Sequence, residues 1–308
     1  MSGLRAFGGV VEAVFLDVGG VFHLPDPEIV GPALHRAGVA GPLDLAVLDR
    51  AHYAGAKALE IWPQGDVRVE LWAAYERAYA LEAGVPDEHL EEAIAELDVA
   101  FAEKGVWSRL APGSLDGLRA LAATGVALAI VSNSDGTLED RLRSEGICQV
   151  GPGAGVPMTI VIDSDAVGVA KPDPAIFRIA LEATGVAPER ALHIGDTVGA
   201  DVDGALAADV RPVHLDPYGF CVDATHPHVP NLATVAVLLG GSRRLPPGLR
   251  RAPPWRGAPA PRRPCPVNAG SVPQGSRVRR RASPRTAALD GSAESIGPRM
   301  TQSAPATA

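Results

Sequence analysis

Short runs of mainly apolar residues recur along the chain, and segments with helical spacing separate them. The runs occupy residues 14–16, 126–131, 158–162, 191–194 and 212–215. A short apolar run is typical of a strand that is buried on both faces of a parallel sheet. Strands that alternate with helices predict an α/β fold: a doubly wound parallel sheet, with helices on both faces and right-handed crossovers. The predicted core helices cover residues 115–123, 138–145, 172–184, 200–208 and 232–239.

The pattern between residues 28 and 104 is helical throughout. Apolar residues there follow helical spacing, as in 69–79, and no strand-like alternation occurs. The prolines of segment 23–27 predict a loop before this region. We therefore expect a core made of residues 1–22 and 105–240, with an inserted helical cap at 23–104.

The composition of residues 241–308 differs from that of the rest of the chain. This segment holds 12 of the 28 prolines and shows no periodicity. It buries too little apolar surface to offset its ordering entropy, so we predict a disordered Pro/Arg-rich tail. This tail has thirteen arginines and only two acidic residues. Because the whole chain has a net charge of −8, residues 1–240 form a strongly acidic body. An acidic body argues against nucleic acid as a partner.

The remaining composition is that of an ordinary globular protein, with 46% hydrophobic and 21% charged residues. Cys148, Cys221 and Cys265 are odd in number and widely spaced, which favours neither a disulfide framework nor a zinc site. No apolar run approaches the roughly 18 residues of a membrane span, and the N-terminus has no signal-peptide pattern. We expect a cytoplasmic protein that does not bind membranes; the pattern indicates no oligomeric state.

Chemically versatile side chains stand at the predicted strand ends. Asp17, Ser132 and Asp196 each follow an apolar run, and Lys171 opens a later helix. In an open α/β sheet these ends form the edge where ligands bind. A nucleophilic carboxylate, a hydroxyl and an ammonium suit phosphoryl transfer. Asp17 and Asp196 also offer the few carboxylates that Mg²⁺ prefers.

Four motifs resemble those of the haloacid dehalogenase-like (HAD) hydrolases, in the same order and with similar separations. They are Asp17-Val-Gly-Gly-Val, Ile130-Val-Ser-Asn133, Lys171-Pro-Asp-Pro-x-Ile-Phe177 and Gly195-Asp-Thr-x-x-x-Asp201. The resemblance covers roughly residues 10–240. The helical insertion resembles the mobile cap of the family's first subclass. The resemblance implies a HAD-like Rossmannoid core, a Mg²⁺ cofactor and a small phosphorylated substrate.

The resemblance also implies a role for each motif residue. Asp17 is the expected nucleophile and Lys171 the catalytic cation that balances charge on Asp17 and the phosphoryl group. The expected metal ligands are Asp17, the Gly19 carbonyl and Asp196, with Asp201 in support. The residues expected to hold the phosphate, besides Lys171, are Ser132, Asn133 and Gly20.

Gly19 is where the chain departs from the family pattern. Most phosphatases of the family have a second Asp there, which protonates the leaving oxygen. Losing a general acid costs about 10²–10⁴-fold with a poor leaving group. Three explanations follow: substrates with good leaving groups such as anomeric sugar phosphates, His23 as a substitute acid, or a weakly active or non-catalytic relative.

The favoured function is Mg²⁺-dependent hydrolysis of a sugar phosphate-like metabolite through an aspartyl-phosphate on Asp17. One alternative is a 2-haloacid dehalogenase, in which Asp17 displaces halide without a metal. Asp196 argues against that alternative. The other alternative is a non-catalytic relative that serves as a binding or regulatory module. Gly19 is the residue that favours this alternative.

Overall fold

The structure is a computed structural model that describes residues 4–59 and 68–240. The predicted disordered tail, 241–308, lies outside the described residues. The strands are β1 Leu4–Ala6, β2 Gly9–Val11, β3 Ala13–Leu16, β4 His23–Pro25, β5 Trp107–Leu110, β6 Ala127–Ser132, β7 Cys148–Val150, β8 Val156–Met158, β9 Ile160–Asp163, β10 Ala191–Gly195, β11 Arg211–Leu215 and β12 His228–Val229. The α-helices are α1 Pro27–Arg36, α2 Leu45–Ala58, α3 Arg68–Glu82, α4 Leu90–Phe101, α5 Ser114–Ala122, α6 Leu138–Ser144, α7 Ser164–Val167, α8 Pro174–Thr184, α9 Gly204–Ala207 and α10 Leu232–Leu239.

A parallel sheet of six strands forms the core, in the order β12-β11-β10-β3-β6-β9. Strand β3 lies inside this sheet between β10 and β6, and all four of its residues are buried. This confirms the predicted α/β fold. The carboxyl ends of β3, β6 and β10 are neighbours at one edge, which is the arrangement that brings Asp17, Ser132 and Asp196 together.

Helices cover both faces of the sheet. Val14 and Leu16 of β3 belong to the apolar cluster that includes α5 and α10. Phe15, between them, belongs to the opposite cluster with Phe177 of α8 and Ala205 of α9. Successive strand residues point to opposite faces, so the continuous apolar run is explained by burial on both sides.

Helices α1–α4 form a helical insert with an apolar core of its own. That core includes Leu34, Leu48, Tyr75 and Leu97, which are nearly inaccessible to solvent. Asp26 caps α1, since its carboxylate accepts from the Glu28 N–H at 2.9 Å. The insert follows β3 in sequence, as predicted.

Strand β4 precedes the insert in sequence and β5 follows it, and the two strands pair as an antiparallel ribbon. The loop predicted for residues 23–27 is therefore wrong: His23–Pro25 is a strand, and α1 begins at Pro27. Proline is tolerated in both places, at the edge of a ribbon and in a first helical turn. The expected domain boundaries, at 22/23 and 104/105, lie at this ribbon and stay a prediction.

Several further local structures were not predicted. Strands β1 and β2 pair antiparallel ahead of β3. The helix predicted at 200–208 begins instead as a π-helical turn, Val198–Asp203, and continues as α9. Within 4–59 and 68–240, no helix has both the length and the apolar character to span a membrane.

Candidate active site

The predicted nucleophile is anchored at the centre of the sheet edge. Asp17 follows β3 directly, and its N–H donates to the carbonyl of Ile194 in β10 at 2.9 Å. Only 8% of Asp17 is exposed. The carboxyl end of β10 thereby holds the main chain of Asp17 beside Asp196, the residue after that strand.

Lys171 joins two of the predicted site acids. Its Nζ lies 2.8 Å from Oδ1 of Asp17 and 2.6 Å from Oδ1 of Asp201. Asn133 positions Lys171: its Nδ2 donates to the Lys171 carbonyl at 3.0 Å, and its Oδ1 accepts from the Lys171 N–H at 2.8 Å. In this arrangement the Asn133 amide contacts the lysine backbone, and its role in holding phosphate stays a prediction.

Asp201 is surrounded by donors. Besides Lys171, His193 Nε2 lies 2.9 Å from Oδ1, and the N–H and Oγ1–H of Thr197 donate to Oδ2 at 3.0 and 2.6 Å. The glycine of the motif makes this close packing possible, because a Cβ on Gly195 would lie 2.1 Å from the Asp201 carboxyl carbon. Asp201 is thus placed to support Lys171, and its supporting role for the metal or for Lys171 stays a prediction.

The electrostatics of this group favour an additional cation. Burial raises the pKa of Asp17 to about 7, in opposition to the Lys171 ammonium. Burial also disfavours charge on Asp201, but Lys171 and His193 hold the pKa of Asp201 well below its usual range. Burial alone would lower the pKa of Lys171, and the carboxylates of Asp17 and Asp201 outweigh it and raise that pKa.

These residues fit a divalent metal ion. One oxygen from each of Asp17, Asp196 and Asp201 lies within 4.8 Å of the other two. When all three carboxylates are ionised, they and the Lys171 ammonium carry an excess of two negative charges. With Asp201 occupied by its donors, Asp17 and Asp196 are the acids best placed to bind Mg²⁺.

Asp196 has a partner from the helical insert that the sequence did not reveal. His52 of α2 places Nε2 2.9 Å from Asp196 Oδ2 and Nδ1 2.9 Å from the Tyr75 hydroxyl. A carboxylate only accepts, so His52 donates through Nε2, and in the neutral imidazole Nδ1 then accepts from the Tyr75 hydroxyl. The next residue, Tyr53, donates its hydroxyl proton to the Gly20 carbonyl at 2.6 Å. The insert therefore contacts both Asp196, the predicted metal ligand, and the turn that follows the predicted nucleophile.

The two glycines after Asp17 have different surroundings. Gly20 has a φ of +65°, and a Cβ there would lie 2.1 Å from Asp196 Oδ2, so this position needs glycine. Its N–H donates to the His23 carbonyl at 2.8 Å, and its contact with phosphate stays a prediction. A Cβ on Gly19 would meet no atom within 4 Å. Steric crowding is therefore not the reason that Gly19 lacks a side chain.

His23 is almost fully buried, and it belongs to the lining of the cavity above the sheet edge. Its Nε2 lies 2.7 Å from Oε2 of Glu145, and Nδ1 has no hydrogen-bond partner among the described residues. Burial lowers the pKa of His23, although Glu145 opposes the shift. Only Nδ1 remains for a substrate, so the substitute-acid role of His23 stays a prediction.

A cavity of about 490 Å³ opens above Asp17, Ser132, Lys171 and Asp196, between the sheet edge and the insert. Arg141 of α6 also lines it, and Arg141 Nε is buried without a partner in the described part of the chain. The insert contributes an aromatic wall, which consists of Trp72, Tyr75, Phe101 and the neighbouring Trp107. The site thus combines a charged floor with an apolar roof, the usual construction of a small-molecule pocket.

Parts of this chain are similar to known proteins. A phosphoserine phosphatase from Thermus thermophilus is 44% identical over 92 residues, which are 30% of this chain and 34% of that protein. The haloacid dehalogenase-like hydrolase domain-containing protein 3 of Mus musculus is 37% identical over 130 residues, 42% of this chain and 49% of that protein. The chain thus spans between a third and a half of these curated relatives.

A solved 2-haloacid dehalogenase from Pseudomonas syringae pv. Tomato superposes with a TM-score of 0.42 at 21% identity, over 75% of this chain and 99% of that one. The haloacid dehalogenase-like hydrolase family model matches residues 11–209, well over half of the sequence. This match covers all four motifs and the residues that the fold assembles around Asp17. The chain belongs to the haloacid dehalogenase-like hydrolase family.

Proposed function

We propose that the protein is a Mg²⁺-dependent phosphatase that hydrolyses a small phosphorylated metabolite through an aspartyl-phosphate on Asp17. The observation that carries the proposal is the contact of Asp17 with Lys171 at 2.8 Å, on a buried floor that Asp196 shares. A carboxylate held by an ammonium is fixed for in-line attack, and phosphoryl transfer depends mainly on such positioning.

The chain's own residues account for each step. The metal, held by Asp17, Asp196 and the Gly19 carbonyl, would neutralise phosphoryl oxygens. An Asp17 oxygen forms the bond to phosphorus while the bond to the leaving oxygen breaks. Lys171 offsets the negative charge that both carboxylate and phosphate bring. Water then attacks the aspartyl-phosphate, which regenerates Asp17 and releases inorganic phosphate.

Gly19 limits the substrates. It cannot protonate the leaving oxygen, so we expect the fastest turnover with esters that have a good leaving group, such as anomeric sugar phosphates. The aromatic wall formed by Trp72, Tyr75, Phe101 and Trp107 gives a sugar ring or a similar compact body an apolar surface. Arg141, with its unpartnered Nε, offers a cation for a second anionic group on the metabolite.

The test measures phosphate release by the full chain from an aryl phosphate, anomeric and non-anomeric sugar phosphates, and phosphoserine. Each substrate is assayed with Mg²⁺ and with a chelator. We expect activity that requires Mg²⁺, that Asp17→Asn abolishes, and that Asp135→Asn, an exposed acid at the same cavity, retains. A phosphorylated protein that hydroxylamine cleaves would identify the acyl phosphate.

Four outcomes contradict the proposal. Activity that persists with chelator would show that the reaction does not require Mg²⁺, and activity that persists in Asp17→Asn would show that another nucleophile is responsible. Metal-independent halide release from a 2-haloacid, without phosphate release from any ester, would favour the dehalogenase alternative. Phosphate binding without turnover of any substrate would favour the non-catalytic alternative.

A further inference from the structure

Three histidines and a cysteine converge outside the active site. His214 lies in β11, Cys221 and His226 in the segment that follows, and His228 opens β12. One ligand atom from each lies within 4.8 Å of the other three, and His214, Cys221 and His226 are buried. The three imidazole rings are mutually packed, with centroids 4.7 to 5.2 Å apart.

The spacing of these atoms matches the edges of a tetrahedral site. Nδ1 of His214 lies 3.2 Å from Nε2 of His226, and Sγ of Cys221 lies 3.7 Å from that same nitrogen. Zinc bonds of about 2.0–2.1 Å to nitrogen and about 2.3 Å to sulfur give edges of roughly 3.3 Å and roughly 3.6 Å. A cation at the centre would replace these two close approaches between electron-rich atoms with bonds.

The surroundings fix two of the imidazoles for ligation. Nε2 of His214 lies 3.0 Å from the carbonyl oxygen of Asp196, which only accepts, so the proton is on Nε2 and the Nδ1 lone pair faces the cluster. Nδ1 of His228 faces Oδ2 of Asp216 at 3.6 Å, while its Nε2 is buried with no hydrogen-bond partner among the described residues. Metal-bound histidines are oriented by such carbonyl and carboxylate partners.

We propose that His214, Cys221, His226 and His228 bind a Zn²⁺ ion. Three imidazoles and one thiolate favour zinc over Mg²⁺, which prefers oxygen ligands. On binding, Cys221 loses its thiol proton to solvent and bonds as a thiolate. The thiolate and the buried carboxylate of Asp216 together balance the two positive charges. Four protein ligands close the coordination sphere, which is the mark of a structural site.

The site would fix the connection between β11 and β12. Tyr218 and Phe220 in that connection lie against Arg50 of the helical insert, with Arg50 Cζ 5.6 and 4.6 Å from the two ring centroids. His214 also holds the main chain of Asp196. Zinc would thus order a segment that contacts both the insert and Asp196, the expected metal ligand of the active site. It would not take part in the reaction.

The test uses the full chain, produced without a histidine tag. After dialysis against a weak chelator and excess Mg²⁺, elemental analysis should find a single zinc ion per chain. Replacement of zinc by Co²⁺ should give a thiolate-to-cobalt charge-transfer band in the near ultraviolet. Cys221→Ser should remove this band, and the matched variants Cys148→Ser and Cys265→Ser should keep it. The band also distinguishes this site from the carboxylates near Asp17, which have no sulfur.

His228→Gln provides a second variant at a half-buried position, in case Cys221→Ser does not fold. Losing only the hydrogen-bond partner of a metal ligand costs roughly 10–100-fold in metal affinity. His228→Gln removes a ligand itself, so zinc affinity should fall by at least that factor. Zinc should raise the melting temperature of the parent chain more than that of this variant. The proposal is overturned if no zinc is retained, if the cobalt band survives Cys221→Ser, or if His228→Gln binds zinc as tightly as the parent. Any of these results would leave only a hydrogen-bonded imidazole cluster.

Discussion

His52 in the helical insert donates to Asp196 at the end of β10, across 2.9 Å between Nε2 and Oδ2. A residue distant in sequence therefore orients the acid that we expect to bind the metal. His52→Leu should lower kcat/KM about 10–100-fold, the usual cost of losing such a partner. His52→Gln keeps an amide donor near the same place and should retain most of the activity.

Steady-state kinetics at saturating Mg²⁺ test this prediction, and His35→Leu, at an exposed position in α1, is the control. If His52→Gln is as impaired as His52→Leu, the hydrogen bond to Asp196 is not what matters.

The open space beside Gly19 allows a gain of function. An aspartate there would meet no atom within 4 Å at its Cβ, and Gly19 lines the cavity. We expect Gly19→Asp to accelerate hydrolysis of alkyl phosphates, toward the roughly 10²–10⁴-fold that a general acid supplies. Aryl phosphates, whose leaving group needs no proton, should change little.

The measurement is the ratio of kcat values for the two substrate classes. Gly20→Ala is the contrasting variant, because its Cβ would overlap Asp196, and it should lose activity with both classes. A ratio that Gly19→Asp leaves unaltered would show that the missing acid does not limit turnover.

The buried pair of Lys171 and Asp201 should contribute strongly to stability. Its atoms approach to 2.6 Å, and both side chains are at most 2% exposed. Asp201→Asn leaves Lys171 with only Asp17, and losing one partner of a buried pair costs about 3–5 kcal/mol. Urea unfolding measures this free energy, and Asp140→Asn, on the exposed face of α6, should cost almost nothing.

A double-mutant cycle isolates the interaction. Lys171→Met combined with Asp201→Asn should be less destabilising than the sum of the single changes. Strict additivity would mean that the two charges do not stabilise each other.

Glu76 gives the insert a stability that depends on pH. Burial, reinforced by Asp98, raises the pKa of Glu76 to about 7 from 4.5. Between these values the folded protein holds a proton that the unfolded chain has released, so stability should fall as the pH rises from 4.5 to 7. Below 4.5 the contribution is fully present, and above 7 it is lost.

Glu76→Gln cannot ionise, so it should raise the melting temperature at pH 8 and leave it nearly unchanged at pH 4.5. Thermal unfolding at both pH values tests this, with Glu182→Gln as an exposed control on α8. An equal effect of Glu76→Gln at both pH values would exclude ionisation as the cause.

The core of the fold was predictable because burial on both faces of the sheet requires continuous apolar runs. Those runs end at Asp17, Ser132 and Asp196, and parallel pairing brings their ends to one edge whatever the connections between them. The helical insert was predictable as helix for the same reason, since its apolar spacing reflects a separate core.

The contacts between the insert and the core could not be predicted. His52 reaches Asp196 because of how α2 packs on the sheet edge, and no spacing along the chain encodes that packing. The ribbon of β4 and β5 was missed because β4 has only three residues, one of them a proline, and such a strand resembles a loop. The cluster around His214 was missed because its cysteine is single and its histidines are unevenly spaced.

The antiparallel pairing of β4 with β5 has a practical consequence. The chain enters the insert through β4 and leaves it through β5, and these two strands are paired. The insert, which forms the roof of the cavity, is therefore connected to the floor at one place. Such a connection makes the roof an exchangeable module: a different set of helices spliced between the same two strands would keep the reactive floor working if it supplied a donor to Asp196 in place of His52. We therefore expect that substrate choice can be changed by exchanging the roof while that one contact is retained.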